Sequence, residues 1–71
     1  MTVDVPVNGE QLVKAPDVES VQVEDDDVAE ARIVGDGRVV VRGLNEGDTH
    51  VLIKRGGRVF SHPVNVTASG G

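Results

Sequence analysis

An all-β fold, a small sandwich of six or seven short antiparallel strands, follows from three observations. Turn-forming residues punctuate the chain at intervals of roughly eight to twelve residues, the spacing of sandwiches and small barrels. Between them apolar residues alternate with polar ones, the period of a half-buried strand rather than of a helix. Sixteen of the apolar residues are valine, whose branched β-carbon suits a pleated surface.

The elements follow in order. Val3, Val5 and Val7 alternate with Thr2, Asp4 and Pro6, and Asn8-Gly9 ends the run as a turn. Pro6 has no N–H to donate, which assigns this strand to a sheet edge. A short strand through Leu12 and Val13 stops at Pro16-Asp17, and a clearer one runs from Val18 to Glu24 with Val21 and Val23 on one face. Asp25, Asp26 and Asp27 form a turn, after which Ala29, Glu30 and Ala31 are expected to close a single helical turn capped by an aspartate.

The two hairpins that follow carry more information, because loop length sets register and register is tested by the apolar pattern. A three-residue loop, Gly35-Asp36-Gly37 with Gly37 left-handed, sets Val34 against Arg38, Ile33 against Val39 and Ala31 against Val41. Ala31, Ile33, Val39 and Val41 then share the core face, and Arg32, Val34, Arg38, Val40 and Arg42 share the other. A two-residue Gly56-Gly57 turn sets Arg55 against Arg58, Ile53 against Phe60 and Val51 against His62, with Val64 and Val66 continuing the face of Phe60. Between the hairpins, GLNEGDTHVLI (Gly43 to Ile53) places two glycines before an alternating strand. A phosphate loop needs a lysine and a following helix. Here the next residues are extended, so Leu44 to Asp48 form a corner between strands, with Gly47 at positive φ.

Three stretches, VQVEDDDVAEARI, RVVVRGLNEGDTHVLI and the closing VNV, resemble the bacterial immunoglobulin-like (Big-type) domains and the related N-terminal module of pilus and secretion-channel secretins. The resemblance covers about residues 3–67. It places Asp27-Val28-Ala29 at the family's aspartate-containing turn, and Gly43, Gly47 and Thr49 at its G-x-x-x-G-x-T corner. It implies an immunoglobulin-like β-sandwich, with residues 1–67 as one domain and 68–71 as a flexible tail, and it implies a fold more than a job.

Size and charge narrow the function. A chain of 71 residues has a thin margin of stability, and with no cysteine and only His50 and His62 it offers neither a disulfide nor an evident metal staple. Assembly with a partner or with copies of itself would supply the difference by mass action. The net charge of -5 and a single aromatic residue exclude a nucleic-acid footprint. The first ten residues lack a basic n-region and an apolar h-region, and no run is long enough to insert in a membrane. The chain reads as a short product starting at Met1 or as an excised domain.

No constellation of residues supports an enzyme. Glu24 to Asp27 are hard oxygen donors of the kind calcium takes, but their spacing is not that of an EF-hand and adjacent side chains of an extended chain point apart. His50 and His62 fall on opposite faces, and Ser61 beside His62 has no acid to complete a triad. No catalytic residue, metal ligand or cofactor is expected. The outer stripe Arg32, Val34, Arg38, Val40, Arg42 and the hairpin tip Lys54, Arg55, Arg58 remain as candidate partner-binding residues, because arginine and lone aliphatics favour interfaces. The chain is thus expected to be a non-catalytic structural module docking on a larger assembly. The first reading is a capsid decoration (cement) protein on a virion surface. The alternative is an envelope module of a pilus, secretin or cell-surface adhesion protein, in the periplasm or at the cell surface as part of a longer chain. The expected partner is a capsid protein or an envelope complex, with self-association also open.

Overall fold

A computed structural model describes residues 2–68. Its strands are β1 (Val3–Pro6), β2 (Glu10–Lys14), β3 (Val18–Val23), β4 (Ala29–Ile33), β5 (Arg38–Gly43), β6 (Gly47–Arg55) and β7 (Arg58–Thr67), with no helix among the described residues. One sheet has the order β1-β7-β6-β3 and the other β2-β5-β4. This is the arrangement of an immunoglobulin-like sandwich, in which the last two strands join the third on one sheet while the second, fifth and fourth form the other. β1 lies at the edge, parallel to β7.

Both hairpins have the register that their loops dictate. Ala31 opposes Val41 and Ile33 opposes Val39, the Val34 N–H donates to the Arg38 carbonyl at 2.9 Å, and Gly37 is left-handed at φ 73°. In the second hairpin Gly56 (φ 54°) and Gly57 (φ 77°) form the turn, and Arg55 faces Arg58, Ile53 faces Phe60 and Val51 faces His62. Two positive φ angles match the right-handed twist of the flanking strands, which is why a glycine pair fits there.

The inward residues of both sheets build the core: Val3, Val5, Val13, Ala15, Ala29, Val39, Val41, Val51, Ile53, Val64 and Val66 are all buried. Phe60 is not among them. It lies on the core face by parity, yet β1 pairs with β7 only from Val64 onward, so Phe60 stands on an uncovered edge of the sheet and the ring is 39% exposed. Ile33, placed at the end of β4, is likewise left open. Sequence parity gives the face a residue occupies, but not which neighbouring strands cover it.

A second departure lies between β3 and β4. The single helical turn forms at Asp25 to Ala29, not at Ala29 to Ala31. The amides of Val28 and Ala29 reach the Asp25 carbonyl at 3.2 and 3.4 Å, and the Asp25 carboxylate caps the turn by accepting the Asp27 N–H at 3.1 Å. Ala29 and Ala31 are already in β4. The corner after β5 is also shorter than Leu44 to Asp48, since β6 starts at Gly47.

Candidate interaction surface

The outer face of the three-stranded sheet is set by the alternation of its central strand. Val39, Val41 and Gly43 of β5 point inward, which turns Arg38, Val40 and Arg42 outward. The partners in register continue three rows across the sheet. Arg42 lies between Glu10 and Glu30, Val40 between Leu12 and Arg32, and Arg38 beside Lys14. Val34 follows Arg32 on the same face. The expected stripe of Arg32, Val34, Arg38, Val40 and Arg42 is therefore one continuous surface, and the structure adds Leu12, 49% exposed, at its centre. Leu12 reaches the face because β2 pairs with β5 across a sequence gap that no local pattern reveals.

The charges on this face are unbalanced. Lys14, Arg32, Arg38 and Arg42 stand against Glu10 and Glu30, on a chain whose net charge is -5. Arg32 Nη2 reaches Glu10 Oε2 at 3.9 Å with both side chains well exposed, a contact worth little in water. A shallow hollow of about 230 Å³ lies among Glu30, Arg32, Val40 and Arg42. The arrangement is an apolar centre, Leu12 and Val40, ringed by guanidinium groups that can each take a carboxylate bidentately.

The remaining cations, Lys54, Arg55 and Arg58, gather at the tip of the β6–β7 hairpin. The Arg55–Arg58 opposition is relieved because Arg55 turns aside: its Nε donates to the Pro16 carbonyl at 2.8 Å, and its guanidinium lies 5.4 Å from the centre of the Phe60 ring. Lys54 meets Glu19 at 3.9 Å.

No catalytic grouping is assembled among the described residues. His50 pairs with Pro63 and Val51 with His62, so the histidines occupy opposite faces, and His50 Nδ1 faces Glu24 at 3.7 Å. One expectation about the acidic turn is corrected. An oxygen from each of Asp25, Asp26 and Asp27 lies within 4.8 Å of the others, because the segment turns instead of extending. The three are exposed on the surface, and the Asp25 carboxylate already holds the Asp27 amide. A cleft of about 510 Å³ runs between the β1 and β2 edges and is lined by residues 2–4 and 11–14.

The corner glycines serve packing. A β-carbon on Gly43 would stand 2.5 Å from the Pro6 carbonyl oxygen and 3.0 Å from Val66 Cγ1, where β1 crosses the end of β5. Gly47 (φ 153°) packs against Val28, whose Cγ2 would lie 3.3 Å from an added β-carbon. The Val28 carbonyl accepts the amides of Leu44 and Asn45 at 2.8 and 3.2 Å. Asn45 Nδ2 donates to the Asp27 carbonyl at 2.7 Å, and buried Thr49 accepts the Asp25 N–H on its hydroxyl at 2.9 Å. The Asp27-Val28-Ala29 and Gly43, Gly47, Thr49 motifs are thus two halves of one laced corner. The role of the Thr49 hydroxyl is invisible in the sequence, because it bonds a backbone group twenty-four residues away.

The two sheets, β1-β7-β6-β3 and β2-β5-β4, define a β-sandwich of immunoglobulin-like class. Within that class, the chain belongs to the family described as the pilus formation protein N terminal region, whose model matches residues 1–67. It is also similar to solved domains of the S-layer protein SbsC. Against domains 4 and 5 the TM-score is 0.80 at 25% identity, covering 94% of this chain and 47% of that one. Against domains 5-6 the TM-score is 0.80 at 25% identity, covering 99% and 41%. Against domains 1-6 it is 0.82 at 25% identity, covering 99% and 12%. The chain thus spans less than half the length of these matched structures. No curated protein matches it significantly. Neither the family nor these structures gives capsid decoration any support; they side with the envelope and surface alternative.

Proposed function

We propose that this chain is a non-catalytic module of a protein assembly in the cell envelope, periplasmic or at the cell surface, and that it docks through the outer face of the β2-β5-β4 sheet. Membership of a pilus-formation family and likeness to surface-layer domains support the location. The observation that carries the docking surface is the apolar centre of exposed Leu12 and half-buried Val40 within a ring of Lys14, Arg32, Arg38 and Arg42. On a protein of net charge -5, such a face selects a partner surface that is acidic around an apolar core. Residues 1–67 act as the domain in this reading. Residues 69–71 of the expected tail lie outside the described residues.

A photo-crosslinking residue at Val40, compared with one at Leu52 on the other sheet, tests this in cells that make the parent protein. Crosslinks from Val40 to an envelope protein are expected, and Arg32→Glu with Arg38→Glu should remove them while leaving the far-UV spectrum unchanged. Equal crosslinking from both positions, or crosslinks that survive the double reversal, would reject the assigned face. Quantitative mass spectrometry tests location separately: peptides of this chain in fixed ratio with a capsid protein in purified virus particles would reject the envelope.

A further inference from the structure

We propose that the open edge of β7, from Arg58 to Pro63, is a docking site for an extended acidic segment of a partner polypeptide, which adds there as a further strand of the β1-β7-β6-β3 sheet. This goes beyond the surface proposed above and uses the other sheet.

β1 covers only half of its neighbour. Its register with β7 runs from Val3 against Val64 to Pro6 against Thr67, so residues 58–63 pair with β6 on one side and with no described strand on the other. The direction of their backbone groups is fixed by alternation. The Thr67 carbonyl points to the β1 side, where it accepts the Val7 N–H at 2.9 Å. The same parity turns the backbone groups of Val59, Ser61 and Pro63 toward the open edge. Pro63, which has no N–H, ends the available stretch next to where β1 begins. Val59 and Ser61 are left with N–H and C=O groups aimed at solvent in the spacing that an added strand takes up.

The side chains on this edge also lack cover. Val59 is 63% exposed and Phe60 is open as well. They project to opposite faces of the strand, so a docked segment gains apolar contact on both. Phe60 borders a hollow of about 160 Å³ with Pro16, Asp17, Arg55 and Gly56. Exposed edges are normally blunted by proline or charge; here Pro63 closes one end and Arg58 stands at the other.

Charge selects the occupant. Lys54, Arg55 and Arg58 cluster at the tip end of this edge. Glu19 is engaged with Lys54 at 3.9 Å and accepts the Gly57 N–H at 3.2 Å, and Arg58 has no ion pair among the described residues. A strand bringing carboxylates to the Arg58 end meets complementary charge, whereas a basic strand meets repulsion.

The test is an NMR titration of the isotope-labelled chain with a short peptide alternating valine and aspartate, beside the same peptide with lysine for aspartate. The aspartate peptide is expected to shift the Val59 and Ser61 amides and slow their hydrogen exchange, while the lysine peptide does neither. Val59→Pro removes an outward N–H that β6 does not use and should abolish the effect. Arg58→Glu should weaken it by roughly tenfold or more. If Val59→Pro loses the native β6 and β7 amide pattern, Ser61→Pro makes the same test. Unchanged Val59 and Ser61 amides, equal response to the lysine peptide, or shifts confined to Leu12 and Val40 would each overturn the proposal. Protection of this edge by concentration alone, with no peptide, would overturn it in favour of a second copy of the chain. A failed crosslink at Val40 leaves this outcome untouched, and the reverse holds as well.

Discussion

Ile53 and Phe60 face each other across the β6–β7 pair, and replacing each by alanine separates the core from its open edge. Ile53 is 1% exposed and surrounded by valines of both sheets. Truncating it to alanine removes three carbons, about 2.4 kcal/mol at about 0.8 kcal/mol per buried methylene. The space left behind, which β-sheet backbone cannot collapse to fill, brings the expected loss to about 2–5 kcal/mol. Phe60 is larger but 39% exposed at an open end, so its removal leaves a notch in the surface instead of an enclosed cavity. It forfeits part of its burial and the Arg55 stacking, worth about 0.5–1 kcal/mol at an exposed site, for a total of about 1–2 kcal/mol. For a domain of this size each kcal/mol lowers Tm by about 4–8 °C. Far-UV circular dichroism melts of the parent chain and the two variants measure the difference, with urea titrations checking that the m-value is constant. Ile53→Ala should lower Tm by about 10 °C or more, and Phe60→Ala by clearly less. Equal losses would mean that the ring is enclosed in solution, and the account of Phe60 on an open edge would fail.

Gly43→Ala puts a β-carbon 2.5 Å from the Pro6 carbonyl oxygen; because backbone has to yield, a loss of about 1–3 kcal/mol or more in urea unfolding is expected. Thr49→Val keeps the shape but removes the acceptor of the Asp25 N–H, and should cost about 1–3 kcal/mol with faster hydrogen exchange at the Asp25 amide. Calcium prefers about six to eight oxygen ligands, and the acidic turn offers three exposed carboxylates, so isothermal titration should show no saturable binding at micromolar concentration; a clear heat would reverse that reading of Asp25, Asp26 and Asp27.

The legible part of this fold was the part that short-range geometry determines. Gly35-Asp36-Gly37 and Gly56-Gly57 fix their hairpins because a tight loop admits few registers, and a shift by one would have turned Val39, Val41, Val51 and Val64 to solvent. What stayed hidden depends on distant pairing. Phe60 and Ile33 follow the core parity, but the depth of the sandwich beneath them is set by strands elsewhere in the chain. Ala29 and Ala31 have helical preference, yet the Val28 carbonyl is committed to Leu44 and Asn45, and the chain after it is drawn into the sheet. Leu12, weakly placed by its own neighbours, owes its position at the centre of the outer face to Val40 opposite it.

The same division explains why family membership says more about architecture than about partners. The corner residues Val28 and Ala29, with Gly43, Gly47 and Thr49, serve the interior: they exchange backbone hydrogen bonds, avoid β-carbons where strands cross, and hold β4 and β6 at one corner of the sandwich. Leu12, Arg32, Val40 and Arg42 on one sheet, and Arg58, Val59 and Phe60 on the other, lie outside that constraint, since none contributes a fully buried side chain. Exposed apolar residues bordered by arginine, on a chain with 12 acidic and 7 basic residues, are the groups that both proposed docking surfaces would use. The two surfaces identified here are where a partner should be sought.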